Sequence, residues 1–367
     1  MERLTVDLGS RRSDILIAPG LLDRAADFLA SDARNARIAV VTDDNVARAQ
    51  LPRLAASLDK AGIAIDPIVV PAGEASKSWD QLAALCDAFA ARGVQRGEAI
   101  VALGGGVVGD LAGMAAALHL RGVPIVQIPT SLVAQVDSSV GGKVAVDTKA
   151  GKNMAGSFHQ PRLVLIDPGC LATLPEREMR AGYAEIVKYG LIGDADFYAF
   201  CEANVTDIMA RNPDALSHAI SRCVAAKARI VEADEDDTAG TRALLNLGHS
   251  FGHAFEALAG YDGALLHGEA VAAGMALAYA YSARIGLCDP AVARRVSAHI
   301  DDAGLSTRIP DAIGQADSRQ IVEFMMRDKK AAGGGLTLIL AEDIGRAVLR
   351  NGIAPDDVAA FLDETRA

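Results

Sequence analysis

Cysteine is scarce in this 367-residue chain: Cys86, Cys170, Cys201, Cys223 and Cys288 are odd in number, scattered, and never spaced as C-x-x-C. The pattern offers no disulfide framework, and a reducing compartment is the simpler reading. A basic surplus is also missing, since 47 Asp and Glu outnumber 36 Lys and Arg for a net charge of −11. That balance argues against nucleic acid or an anionic membrane as the main partner, while leaving room for a local basic pocket that takes a small anion. No uncharged apolar stretch approaches the ~20 residues that span a bilayer. The start, Met1 to Asp7, lacks the basic and then apolar run of a signal peptide. A soluble cytoplasmic protein is expected.

Lysine is scarce too, with 9 Lys against 27 Arg. Because solvated positions here accept Arg, the few Lys can mark places that need a compact, rotatable ammonium. Seven of them, Lys77, Lys143, Lys152, Lys188, Lys227, Lys329 and Lys330, fall in the motifs described below. Chance survival under a codon bias toward Arg is the alternative.

What is present suits a globular protein: 51% hydrophobic and 23% charged residues, in a chain long enough for two domains at roughly 150 residues each. Short apolar runs at 37–42, 63–70, 99–103, 124–128 and 163–166 are of strand length and alternate with helical patterns such as Trp79 to Arg92. This alternation predicts an α/β domain with a mostly parallel, doubly wound sheet that binds ligands at the carboxyl ends of its strands. Two further runs, around Thr5–Leu8 and Asp14–Ala18, predict an opening hairpin. After residue 172 a capping Thr173, then Pro175 and acids, introduce long Ala-rich helical patterns, broken by one short hairpin signal at 336–340 and 347–349. The expected division is therefore 1–172, α/β, and 173–367, helical. No repeat, low-complexity tract or flexible linker separates them, so close packing around a cleft is expected.

The run from Ala99 to Asp110 passes from a strand through Gly104, Gly106 and Gly109 into a helix, matching G-x-G-x-x-G in its meaningful context. Backbone N–H groups at such a helix start suit a pyrophosphate. The acid usually found about 20 residues later is missing, but Asp43, Asp44 and Asn45 follow an earlier strand and can serve a ribose. An ordinary Gly-rich turn is the alternative. Pro129 to Lys143 and Gly151-Lys-Asn153 then concentrate hydroxyls, glycines and two Lys, a cradle for phosphate or carboxylate oxygens.

In the second half Glu185 and Lys188 lie three apart on one helical face, a spacing also typical of surface ion pairs. His249, His253 and His267 fall within 19 positions and, with one carboxylate, offer a divalent-metal site with an open position. A lone His is more often a satisfied core or surface residue, but three of the seven are gathered here. Spacing alone selects His249 and His253 as the ligand pair, since residues four apart share a face. The pattern is not H-E-x-x-H, and nothing else points to a metalloprotease.

Seven segments taken together resemble the 3-dehydroquinate synthase family of sugar phosphate cyclases. They are Gly104 to Asp110 (GGGVVGD), Gln135 to Lys143 (QVDSSVGGK), Gly151-Lys-Asn153, Ala184 to Tyr189 (AEIVKY), Asn246 to His253 (NLGHSFGH), Leu266 to Glu269 (LHGE) and Arg327 to Lys330 (RDKK). They stand in the family's order across nearly the whole chain. The resemblance implies an N-terminal dinucleotide-binding α/β domain, an all-α C-terminal domain and a homodimer. It assigns a divalent metal, Zn or Co, to Glu185, His249 and His267, which replaces the pair chosen by spacing. His253, Lys152, Glu185, Lys188 and Asn246 are implied as catalytic. Arg121, Asp137, Lys143, Lys152, Asn153, Lys188, Lys227, Arg242, Asn246, His253 and one or both of Lys329 and Lys330 are implied to hold a sugar phosphate. Asp43, Asn45, Glu74, Lys77, Gly105, Gly106, Val107, Val108, Gly109, Asp110, Thr130, Ser131, Lys143 and Lys152 are implied to hold NAD. The family's reaction turns 3-deoxy-arabino-heptulosonate 7-phosphate into 3-dehydroquinate and phosphate, through oxidation at C5, loss of phosphate, re-reduction and aldol closure. Ser131 departs from the second Thr of many members, a hydroxyl for a hydroxyl.

The rivals are weaker. Iron-type alcohol and glycerol dehydrogenases take ligands from an Asp and a His four residues later, where this chain has Glu185 and Tyr189. Other sugar phosphate cyclases are nearer, but Arg242, Asn246 and Lys227 resemble the set that handles the carboxylate of the dehydroquinate synthase substrate. A silent protein that binds metal and nucleotide has no physical need to retain every reactive group.

Overall fold

The computed structural model describes residues 1–33, 36–149, 151–237, 240, 242–261, 263–328 and 335–366. Its contacts divide into two units, Met1–Pro175 with Pro213–Asp236, and Glu176–Asn212 with Asp237–Ala367.

Among the described residues, the first unit carries nine strands: β1 (Glu2–Val6), β2 (Ser13–Ile17), β3 (Arg37–Asp43), β4 (Ala64–Val70), β5 (Ile100–Gly104), β6 (Ile125–Pro129), β7 (Lys143–Thr148), β8 (Gly151–Phe158) and β9 (Leu163–Ile166). Seven form one sheet in the order β1-β2-β9-β6-β5-β3-β4, parallel throughout except for the opening β1–β2 hairpin. The central strands are apolar at successive positions because both sheet faces are covered. Ala39 and Val41 pack on one face with the Trp79–Ala91 and Gly106–Leu118 helices, while Ile38 and Val40 pack on the other with Leu54, Leu58 and Leu165. From β3 the chain crosses outward to β4 and then back to β5 on the other side. The ends of β3 and β5 therefore flank the topological switch point, where such sheets bind ligands.

Two features differ from the sequence reading. Residues 143–158, for which no strand was expected, form the antiparallel β7–β8 hairpin, which packs on the Gly106–Leu118 helix through Val144 and Val146, so Lys143 and Gly151-Lys-Asn153, read as parts of an oxyanion cradle, lie on strands. The helix Pro213–Ala233, expected in the second domain, groups with the first. Its buried face, Leu216, Ala219, Ile220, Cys223, Val224, Lys227 and Val231, has ordinary helical spacing, and such a stripe does not say which core it will join.

Among the described residues, the second unit is helical apart from a hairpin of β10 (Leu336–Asp343) and β11 (Arg346–Ile353), as the 336–349 signal indicated. Its centre is the pair of helices Glu176–Gly193 and His267–Arg284, each buried over most of its length. A Cβ on Gly268 would stand 1.9 Å from the Ala181 carbonyl oxygen, so the two backbones meet where no side chain fits. In the same core Tyr183 donates to the Cys201 carbonyl at 3.0 Å, which commits its proton. The His299 Nε2–H therefore donates to the Tyr183 oxygen, 2.8 Å away. His299 is 4% exposed and burial lowers its pKa.

Three outcomes follow from this packing. Gly268→Ala should destabilise the second unit by about 3 kcal/mol or more, because the clash is with backbone. Gly193→Ala, with nothing within 4 Å, should be neutral or stabilising by about 0.5–1 kcal/mol, both read from urea midpoints. The neutral, buried His299 should make stability fall as pH drops below about 6.5, since the unfolded chain then binds a proton that the folded one refuses, by up to about 1.4 kcal/mol per pH unit. His299→Gln should flatten that slope between pH 7 and 5 relative to the parent, and an unchanged slope would refute the assignment.

Candidate active site

In the second unit, Glu185 projects from the middle of the Glu176–Gly193 helix and is 1% exposed. Two histidines reach it from other elements. His249 opens the His249–Ala259 helix, just after Gly248, whose φ of +82 and contact with the Val271 carbonyl suit glycine alone. His267 opens the His267–Arg284 helix. The loop before it is tied down by Arg177, which donates to Gly263 O at 3.2 Å, to Ala264 O at 2.7 Å and to both oxygens of Glu269. Glu269 in turn accepts from the Leu266 N–H at 2.8 Å.

Glu185 Oε1 lies 3.3 Å from His267 Nε2 and 3.8 Å from His249 Nε2, and one donor atom from each residue falls within 4.8 Å of the others. A carboxylate oxygen and two imidazole nitrogens at this separation form a donor set that zinc, cobalt or iron accepts, with room for a further ligand. Lys188, one turn on and 1% exposed, pairs with the second oxygen of Glu185. Burial, and then the Lys188 charge, hold the His249 pKa down at about 3, which leaves its nitrogens neutral at physiological pH. Burial acts the same way on His267, but the carboxylates of Glu256 and Glu185 outweigh it and push the value up to about 10. The two histidines are thus pushed in opposite directions, His267 toward its charged form and His249 away from it.

His253 lies one helical turn beyond His249, their ring centroids 5.3 Å apart, and its ring is 6.1 Å from that of His267. The geometry groups Glu185, His249 and His267, and it also groups His253, Glu256 and His267. Spacing on one helix identified neither set, because the ligating atoms come from different helices. Arg242, 3% exposed, and Asn246 bracket the short turn that leads into Gly248. Lys329 and Lys330 lie outside the described residues.

In the first unit the switch point carries the other group of candidate residues. β5 ends at Gly104, and the Gly106–Leu118 helix begins with no side chain capping its first N–H groups. A Cβ on Gly104 would strike Val108, and one on Gly109 would strike Gln127, so these two glycines serve packing. Gly105 and Gly106 instead lie beside the hydroxyls of Ser131 and Ser138, and with Val107 they form the helix start, which suits an anion. Thr130 is 6% exposed and donates its N–H to the Gly104 carbonyl at 2.9 Å. At the end of β3, Asp43 caps the following turn by accepting from the Asn45 and Val46 N–H groups, while Asn45 stays exposed.

Lys77 is the hinge of this face. Only 5% exposed, it stands 2.5 Å from Asp110, donates to Asn153 Oδ1, and accepts the Asp147 N–H at its carbonyl. Burial alone would strip its proton, but Asp110, Glu74 and Asp147 outweigh that and raise its pKa. Asn153 takes a left-handed φ of +56 and donates its N–H to Asp147 at 2.8 Å. Lys152 lies 3.7 Å from Glu74. Lys227, 7% exposed, donates to the Asp137 carbonyl at 2.9 Å and pairs with its carboxylate. Lys143 is exposed, as is Arg121, on a turn where Leu120 and Arg121 both take left-handed φ of 48 and 68. Two carboxylates received no role from the sequence, Asp147 and Glu256. Both stand inside or beside the quoted motifs, which is the signal that could have found them.

Comparison with known proteins agrees with the resemblance. Residues 67–181 match the 3-dehydroquinate synthase N-terminal family and residues 182–331 the 3-dehydroquinate synthase C-terminal family. A 3-dehydroquinate synthase of Caulobacter vibrioides is 52% identical over 364 residues, which cover 99% of this chain and 98% of that protein. Among solved structures, the 2-epi-5-epi-valiolone synthase of Streptomyces hygroscopicus subsp. jinggangensis 5008, with NAD+ and Zn2+ bound, superposes with a TM-score of 0.89 at 30% identity, covering 100% of this chain and 98% of that one. A 2-deoxy-scyllo-inosose synthase complexed with carbaglucose-6-phosphate, NAD+ and Co2+ gives a TM-score of 0.86 at 25% identity, covering 98% and 100%. An N-terminal α/β unit, a helical unit with this donor cluster, and near-complete coverage at half identity lead to one conclusion: the chain belongs to the 3-dehydroquinate synthase family.

Proposed function

We propose that the protein converts 3-deoxy-arabino-heptulosonate 7-phosphate to 3-dehydroquinate and phosphate, using NAD and a divalent metal. The observation that carries this reading is the convergence of Glu185, His249 and His267 within 4.8 Å, on a chain 52% identical to a curated 3-dehydroquinate synthase. When bound, NAD accepts and returns a hydride, and a divalent metal acts as a Lewis acid on a substrate oxygen.

The chain's own residues supply the rest. Glu185, His249 and His267 hold the metal, and the buried Lys188 balances the carboxylate that it pairs with. The open glycines at 105 and 106, with Thr130 and Ser131, receive the NAD pyrophosphate at the helix start. Asp43 and Asn45 face its ribose at the switch point, and Glu74, Lys77 and Asp110 hold that wall in shape. The substrate is an anion at both ends, so Arg121, Lys143, Lys152, Asn153, Lys227, Arg242, Asn246 and the 329–330 lysines hold its carboxylate and phosphate oxygens. The consecutive left-handed residues at 120–121 support a role for Arg121, because such strain persists where function requires it. His253, neighbouring both ligand rings, moves protons on the phosphate side, and the substrate's own phosphate serves as the base at C6. Fixed cations and amides of this kind stabilise developing oxyanions without reorganising.

Within the same reading the protein works in the cytoplasm as a homodimer, supported by the family resemblance. Among the described residues, no helix is long and apolar enough to cross a membrane.

The deciding experiment follows phosphate release and 3-dehydroquinate formation with chelator-treated protein, restored Zn or Co, and NAD far below substrate. Product in large excess over NAD, and only with metal, supports the synthase. NADH accumulating stoichiometrically with a simple alcohol, and no dehydroquinate, refutes it. Glu185→Gln and His249→Ala should abolish turnover and lose the metal, read by elemental analysis. Lys152→Ala should keep its metal and lower kcat/KM by about 10–100-fold, the worth of one charged hydrogen bond; a metal-replete, active Glu185→Gln would sink the ligand assignment.

A further inference from the structure

His267 is held on both sides of its ring. Nε2 faces Glu185 Oε1 at 3.3 Å, and Nδ1 stands 3.1 Å from Glu256 Oε2. Glu256 is 3% exposed and sits on the His249–Ala259 helix, seven residues after His249. We propose that Glu256 is the positioning carboxylate of the metal centre: it accepts the Nδ1–H of His267 and so fixes the tautomer and ring angle that aim Nε2 at the metal. The inference rests on the reading of Glu185, His249 and His267 as metal ligands.

The argument is one of donor count and charge. An ionised carboxylate only accepts, so Nδ1 must carry a proton, which leaves Nε2 as the nitrogen that would give its lone pair to a metal. His267 is the more exposed of the two ligand histidines, its side chain 35% accessible against 12% for His249, and so has more need of an anchor. The two rings are also anchored differently. His249 Nδ1 faces the neutral Leu247 carbonyl at 3.2 Å, whereas His267 faces a full negative charge. A carboxylate partner raises the basicity of the ligating nitrogen more than a carbonyl does. Burying Glu256 is costly by itself, and its hydrogen bond to His267 offsets part of that cost.

A different role is open to the same atoms, since His253, Glu256 and His267 also bring one donor each within 4.8 Å. A second ion there would have to break the His267–Glu256 hydrogen bond, which the 3.1 Å distance shows intact.

The test uses the full-length protein with Zn, and Co as a spectroscopic substitute. Zn affinity is measured by chelator competition, stoichiometry by elemental analysis, and ligand geometry by the visible spectrum of the Co form. Glu256→Gln keeps the shape and removes the charge; it should bind one metal per chain 10–100-fold more weakly and shift the Co bands, while its thermal midpoint in chelator stays at the parent value. Glu256→Leu should lose more. Parent affinity and an unshifted Co spectrum in Glu256→Gln would overturn the inference. Two ions in the parent and one in Glu256→Gln would overturn it too, by making Glu256 a ligand. His249→Ala separates the two claims: lost metal there with unchanged Glu256→Gln refutes only the positioning role, whereas retained metal in His249→Ala refutes the ligand reading on which it stands.

Discussion

A carboxylate taken almost wholly out of water is the constraint around which the helical unit is built. Glu185 is 1% exposed, and an unpaired charge at that depth costs several kcal/mol. It is tolerated because Lys188 lies one turn away and two imidazoles reach it from other elements. Those imidazoles arrive only if three helices come within side-chain reach at one point, and bulk at the crossings would prevent that. Gly268 against Ala181, and Gly274 against Gly248, are where the backbones touch. The small residues of the motifs Asn246–His253 and Leu266–Glu269 therefore set the distance between donor atoms that no local spacing can set.

The α/β unit solves the inverse problem. There the buried charge is the ammonium of Lys77, enclosed by Asp110, Glu74 and Asp147. The network ties the segment after β4 to the start of the Gly106–Leu118 helix and to the β7–β8 hairpin, the three pieces of chain that shape the carboxyl end of the sheet. The scarcity of lysine acquires a meaning here. Among the described residues, Lys77, Lys188 and Lys227 are buried, whereas Arg242 is the one buried arginine in a chain with three times as many arginines as lysines. A codon bias with random survivors would not place lysines preferentially inside. A compact ammonium fits where a planar guanidinium does not, and that is where this sequence keeps it.

The sheet was legible because each central strand is buried on both faces and reads as an unbroken apolar run between turn residues. The β7–β8 hairpin was not, because Gly151-Lys-Asn-Met-Ala-Gly-Ser has neither the alternation nor the β-branched content that marks a strand; it is held by side-chain bonds from Lys77 and Asp147. The allegiance of the Pro213–Ala233 helix was illegible for a different reason, since amphipathicity gives a face and not a partner. At the site, the i,i+4 rule chose His249 and His253, which do neighbour each other. It could not see that the nearest carboxylate to His249 comes from a helix more than sixty residues earlier. Only the family resemblance named that carboxylate, and Glu256 escaped both approaches although it stands three residues after His253.

In the proposed function, the Glu185, His249 and His267 cluster and the glycine-rich helix start serve the removal and return of a hydride. They cannot by themselves select among substrates that differ at a carboxylate. Selection must come from cations that are needed for one substrate and wasted on another. Arg242 is 3% exposed, and the planar fork of a guanidinium suits a carboxylate better than a neutral carbonyl or hydroxyl, which is why the proposed function sets it among the residues that hold the anionic oxygens of the substrate. Within the proposed function, a buried fork on the turn that leads to His249 favours a substrate that carries a carboxylate over one that does not.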